Sequence, residues 1–142
     1  FRRVLFRSNC IREWRGDTHF AILTSEDISR VQAGILHDAH LNYGGWIAQS
    51  RGADEAAMRA AMDDLESRGL AENGAVNAAG LAVRELIEDR TNELCSRVWK
   101  SVGESETLAF LRLVEPIGER LLKRIDDTAG PNWMPAARER RA

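Results

Sequence analysis

Apolar side chains recur with a helical period along almost the whole chain. Residues 10–23 carry Trp14, Phe20, Ile22 and Leu23, with Gly16 as the weak point of that helix. Ser25 is placed to cap a second helix over about 26–41, with Glu26 and Asp27 in the first turn, where carboxylates suit the helix dipole. Ile28, Val31, Ile35 and Ala39 follow at a spacing of about 3.6 residues. Tyr43-Gly44-Gly45 ends this helix, Trp46–Gln49 gives a short helical turn, and Arg51-Gly52 breaks it. Asp54 opens a further helix whose Met58, Ala61, Met62 and Leu65 form one apolar stripe. Gly69 suits the left-handed position just past its end.

The stretch 69–77 then changes pattern. Two short alternating segments flank Asn73-Gly74, the dipeptide best suited to a type I′ hairpin turn. Asn77 is placed to cap a long helix over 78–99, with Val83, Ile87, Thr91, Leu94 and Val98 along one face. A last helix over about 104–125 starts from Ser105 and should kink at Pro116. Its apolar residues are spread widely: Leu108, Leu111 and Leu122 on one side, Val114, Leu121 and Ile125 on another, Ile117 further round. Residues 126–142, with Gly130-Pro131, Pro135 and a charged Arg138-Glu139-Arg140-Arg141 end, read as a tail.

Length and composition narrow the class. A chain of 142 residues with 44% hydrophobic and 30% charged side chains is globular and mainly α-helical. No apolar run approaches the roughly 20 residues needed to cross a bilayer, so no membrane association is expected. Two cysteines, Cys10 and Cys95, make no disulfide scaffold, and a reducing, cytoplasmic setting is expected. The opening Phe1-Arg2-Arg3-Val4-Leu5-Phe6-Arg7-Ser8 is basic then apolar, yet it matches translated sequencing-adapter DNA, and no initiator Met precedes it. Taken as non-native, its three arginines leave the count, and the net charge moves from −2 to −5 for residues 9–142. The expected organisation is a non-native segment at 1–8 and the end of an N-terminal helical region at 9–25, then a winged helix-turn-helix over 26–99. A C-terminal helix at 100–125 and a tail at 126–142 complete it.

The order helix, short helix, glycine break, helix, hairpin, helix is that of a winged helix-turn-helix, with 54–68 as recognition helix and 69–77 as a minimal wing. Five segments match a known family in order: Glu13-Trp14-Arg15-Gly16-Asp17-Thr18-His19, Leu36-His37-Asp38-Ala39, Leu65-Glu66-Ser67-Arg68-Gly69-Leu70, Gly74–Gly80 and Glu88-Asp89-Arg90-Thr91-Asn92. Together they resemble the SalK-like helix-turn-helix proteins of actinomycetes, distantly similar to MarR-type regulators. The likeness covers about residues 11–125. It implies a winged-helix fold, a role in transcription regulation and a further N-terminal helical region.

Duplex affinity comes mainly from Lys and Arg on phosphates, and base reading from Arg, Asn or Gln on the exposed helix face. The outward side of 54–68 presents Ala56, Arg59, Ala60, Asp63, Asp64 and Ser67. Five acids against two arginines give that segment a charge of −3. The wing offers only Glu72 and Asn73. Gln49, Arg51, Arg59 and Asn73 are therefore the expected DNA contacts, and the charge argues for weak ones.

Two other clusters carry candidate chemistry. Trp14, Arg15, Asp17 and His19 could line a small-molecule effector site, with Gly16 permitting close backbone approach; the plainer reading is an Arg15–Asp17 ion pair with His19 capping a turn. His37 and His40 share a spacing that would let them join His19, Asp17, Asp38 or Cys10 at a metal, but no metal-binding motif accompanies them and polar inter-helix histidines are expected instead. No nucleophile elbow, phosphate loop or carboxylate pair is present, so neither catalysis nor a cofactor is expected. The leading function is transcriptional regulation. The alternative is a protein-interaction or ligand-sensing module on the same fold. The wide apolar arc of helix 104–125 further suggests a homodimer, or cover by an N-terminal region of the same chain.

Overall fold

The computed structural model describes residues 2–130 and 132–133, with side chains from Asn9 onward. In chain order it has helices α1 (Arg2–Ser25), α2 (Arg30–Leu41), α3 (Trp46–Ser50) and α4 (Glu55–Ser67), strands β1 (Ala71–Glu72) and β2 (Ala75–Val76), then α5 (Ala78–Val102) and α6 (Glu104–Ala129). Two compact units divide the chain after Ser96. The expected class holds: mainly α, with a minimal two-stranded antiparallel wing.

In the first unit, α1 runs unbroken through Gly16, and a Cβ there would meet nothing within 4 Å, so no close approach requires that glycine. The expected start of the second helix is corrected. Ser25 is the last residue of α1, its hydroxyl donating to the Ile22 carbonyl at 2.8 Å, and α2 begins only at Arg30. The cap is Ser29. Its Oγ accepts the Gln32 amide at 3.3 Å while its own amide donates to Gln32 Oε1 at 2.8 Å, a capping box. Counting three residues on from Ser25 reaches Ile28, which has no polar atom to return the bond. That is why the later serine wins. Glu26 and Asp27 form the corner, Asp27 with φ of 53°.

Asp38 ties the next two elements together. Its Oδ2 accepts the amides of Ile47 at 2.9 Å and Ala48 at 3.3 Å, capping α3 from within α2. Asp54 Oδ1 accepts the Ala57 amide at 2.8 Å and caps α4 as expected. Gly69, at φ of 71°, turns the chain out of α4. In the hairpin Ala71 pairs with Val76 and Glu72 with Ala75, and Asn73 and Gly74 take φ of 53° and 76°, the left-handed pair a type I′ turn requires. Asn77 Oδ1 accepts the amides of Ala79 and Gly80 and starts α5. Ile22, Leu23, Ile28, Ile35, Leu36, Ala61, Leu65, Ala71 and Ile87 close over one core.

In the second unit, α5 continues to Val102 and stops at Gly103, three residues beyond its expected end. Helix α6 starts at Glu104 rather than from a Ser105 cap and stays helical past Pro116 to Ala129, so the expected tail begins four residues late. The rings of Trp99 and Phe110 lie 5.9 Å apart. No residue of α6 is buried. Pro135 and the charged Arg138–Arg141 end lie outside the described residues.

Candidate nucleic-acid interface

Helix α4 carries its buried stripe on Ala61 and Leu65 and presents Ala56, Arg59, Asp63 and Ser67 outward, as its spacing predicts, whereas Ala60 and Asp64 turn toward α2, where Asp64 Oδ2 accepts from Gln32 Nε2 at 2.6 Å. The two arginines of the segment have separate fates. Arg68 turns back to donate to the carbonyls of Asp27 at 2.6 Å and Glu26 at 2.9 Å, closing the α1–α2 corner from the end of α4. Only Arg59 stays on the outward face, 3.6 Å from Glu55 one turn earlier.

Gln49 and Arg51 are exposed at the end of α3. Beside them stands a cation that the sequence reading misses: Arg30 Nη1 donates to the Arg51 carbonyl at 3.1 Å. Placing the α2 cap at Ser29 makes Arg30 the first residue of that helix; the misplaced cap hid it. Asn73 is exposed at the wing tip. Next to it the Gly74 amide donates to Glu66 Oε1 at 2.7 Å. A tip amide is the kind of backbone donor that contacts phosphate. Here a carboxylate of α4 already holds it.

The most specific sequence strings meet elsewhere. Arg15 Nη2 donates to Glu88 Oε2 at 3.0 Å and to Asn92 Oδ1 at 3.1 Å, not to Asp17. His19 Nδ1 lies 3.1 Å from Thr91 Oγ1, not at a turn cap. Arg90 pairs with Glu26. The Arg15–His19 string and the Glu88–Asn92 string are thus the two halves of one α1–α5 clamp. Thr91 is fully buried and gives its hydroxyl proton to the Ile87 carbonyl at 2.7 Å. Its oxygen is left to accept, so His19 carries a proton on Nδ1. Burial holds the His19 pKa below its ordinary 6.5; Glu88 pulls upward, while Arg15, His37 and Arg84 push further down.

Of the four residues expected to line an effector site, Arg15 and His19 join this clamp, Asp17 is exposed, and Trp14 is partly exposed. An open cavity of about 550 Å³ lies instead between the α2 cap and α4, lined by Thr24, Ile28, Gln32, Ala57, Ala60 and Asp64 among others. His40 faces Glu85 at 3.8 Å, and Asp38 is occupied as the α3 cap. Among the described residues no three His, Cys, Asp or Glu side chains converge in a way that could hold a metal ion. No helix among them is long and apolar enough to cross a membrane.

Comparison with curated proteins and with solved structures returns no match. A family model described as a helix-turn-helix family matches residues 2–128, taking in both strands and all the helices described above but for the last residue of α6. With the α2–α3–α4 arrangement and the wing both in place, the chain belongs to that helix-turn-helix family.

Proposed function

We propose that the chain is the DNA-docking part of a non-enzymatic, cytoplasmic transcriptional regulator of the SalK-like, distantly MarR-like kind. The observation that carries this is the Arg30–Arg51 contact, in which the Arg30 guanidinium holds the Arg51 carbonyl, so that the start of α2 and the end of α3 bring two arginines side by side. With exposed Arg59 on α4 they give three guanidinium groups for phosphates. Base reading falls to Gln49, because Ala56, Ala60 and Asp63 offer little to base edges. Docking is therefore weak in sequence preference and steep in salt.

The test is binding to mixed duplex DNA across a salt series. The full chain would carry Gln in place of Arg2, Arg3, Arg7, Arg138, Arg140 and Arg141, so that the arginine-rich ends do not supply the signal. Three phosphate contacts per chain predict a log–log salt slope of about −3. No binding at low salt would overturn the proposal.

One observation favours a second reading, a protein-interaction or ligand-sensing module. Glu66 holds the wing tip, and α4 presents a surplus of carboxylates. On that reading the Trp14–His19 stretch, with the exposed carboxylate of Asp17, takes a small-molecule effector. The salt titration separates the two.

A further inference from the structure

We infer that the cavity between α2 and α4 is a binding site for a small organic cation, an amidinium or ammonium group carried on an aromatic or other apolar body. The cavity has a volume of about 550 Å³, within the range of small-molecule sites. Its apolar wall comes from two directions. Ala57, Ala60 and Ala61 line it from one flank of α4, where residues three and four apart are neighbours. Ile28 and Val31 line it from the α1–α2 corner and the first turn of α2. Three methyl-sized side chains on α4 leave open the space that larger ones would fill.

The polar lining sets the charge of the ligand. Gln32 is only 3% exposed, and its Nε2 donates to Asp64 Oδ2 at 2.6 Å. A carboxylate held through one oxygen by a buried amide is fixed in place, while its other oxygen can still accept. Arg68 approaches the same Oδ2, at 3.7 Å, without lining the cavity. The second acid is Asp27. Arg68 takes its main-chain carbonyl at 2.6 Å, and its carboxylate has no ion-pair partner among the described residues. The capping box already occupies the amides of Ser29 and Gln32, two donors that would otherwise suit an anion. Among the described residues no Lys, Arg or His lines the cavity. Two carboxylates beside an apolar wall, with no cation of the protein between them, accept a cationic head with an apolar body and repel a carboxylate. An amidinium suits them best, because it meets a carboxylate through two parallel hydrogen bonds. The site is separate from the Trp14–His19 stretch and does not depend on DNA docking.

Titration of the full chain with benzamidinium, followed by NMR of the backbone amides in the absence of DNA, tests the site. Saturable shifts are expected at residues 28–32 and 57–64, with a Kd of about 1 mM or below. Benzamide and benzoate keep the ring and change the charge, and each should bind at least about tenfold more weakly. Asp64→Asn keeps an acceptor for Gln32, and Asp27→Asn suits the backbone there, at φ of 53°. Each should weaken benzamidinium by about fivefold or more, with the rest of the spectrum unchanged. Ala60→Leu, at an exposed helical position, fills the cavity and should abolish binding. No saturable shift in the wild-type chain would overturn the inference. So would equal binding of benzoate or benzamide, or indifference to either Asn substitution or to Ala60→Leu.

Discussion

Glu66, in the last turn of α4, accepts the amide of Gly74 at the wing tip at 2.7 Å. This bond ties the wing tip to the helix, and on the proposed docking it places a negative charge beside the duplex backbone. Stability and DNA affinity therefore pull in opposite directions at one side chain. Glu66→Gln keeps a carbonyl acceptor for the amide and removes the charge. Chemical denaturation should show a loss below about 1 kcal/mol, since an exposed hydrogen bond contributes no more than that. Low-salt DNA affinity should rise. Unchanged or weaker binding would show that the wing does not approach the duplex.

The three guanidinium groups on or near α4 should separate by readout. Arg51→Ala and Arg59→Ala should leave stability within about 0.5 kcal/mol and each reduce the magnitude of the salt slope by about 1. Arg68→Ala should do the reverse, because its two carbonyl contacts hold the α1–α2 corner. A loss of about 1 kcal/mol with an unchanged slope is expected. Fluorescence anisotropy and urea unfolding on the same three variants check both halves.

Two helical glycines should respond with opposite sign. A Cβ at Gly80 would lie 2.2 Å from the Leu70 carbonyl oxygen and 2.7 Å from Val76 Cγ1, so the strand leading into the wing must move. Gly80→Ala should cost about 3 kcal/mol and shift the amide resonances of Asn73 and Gly74. Gly16 is mid-helix with open space around it, and Gly16→Ala should stabilise by about 0.5–1 kcal/mol. Equal effects at the two sites would contradict the packing of α5 under the wing.

His19 makes stability depend on pH in a defined direction. Its folded pKa lies below the unfolded value of 6.5, so above that value the ring is neutral in both states. As pH falls through 6.5 the unfolded chain takes up a proton that the folded site resists, and the stability present above 6.5 is progressively lost down to the folded pKa. His19→Gln should flatten this part of the profile in urea unfolding. An NMR titration of the ring at or above 6.5 would remove the effect.

What the sequence determined by itself were the features set by near neighbours in the chain. The Met58–Leu65 stripe, the Asp54 cap, the Gly69 stop and the Asn73-Gly74 turn each depend on residues within a few positions, so spacing and backbone preference suffice. The choice between Ser25 and Ser29 was also local. It turned on whether a polar side chain stood three residues on, and Gln32 was there to be read. The tertiary structure alone decided who meets whom across helices. Arg15 finds Glu88 and Asn92 some seventy positions away rather than Asp17, which points off another side of the same helix. Arg68 leaves the recognition face because the carbonyls of Glu26 and Asp27 converge at a corner that only packing creates. Charge counted along α4 predicted an acidic face. Only the fold showed that one of its two arginines is already taken up by the carbonyls of the α1–α2 corner and that Arg30 had come in beside Arg51.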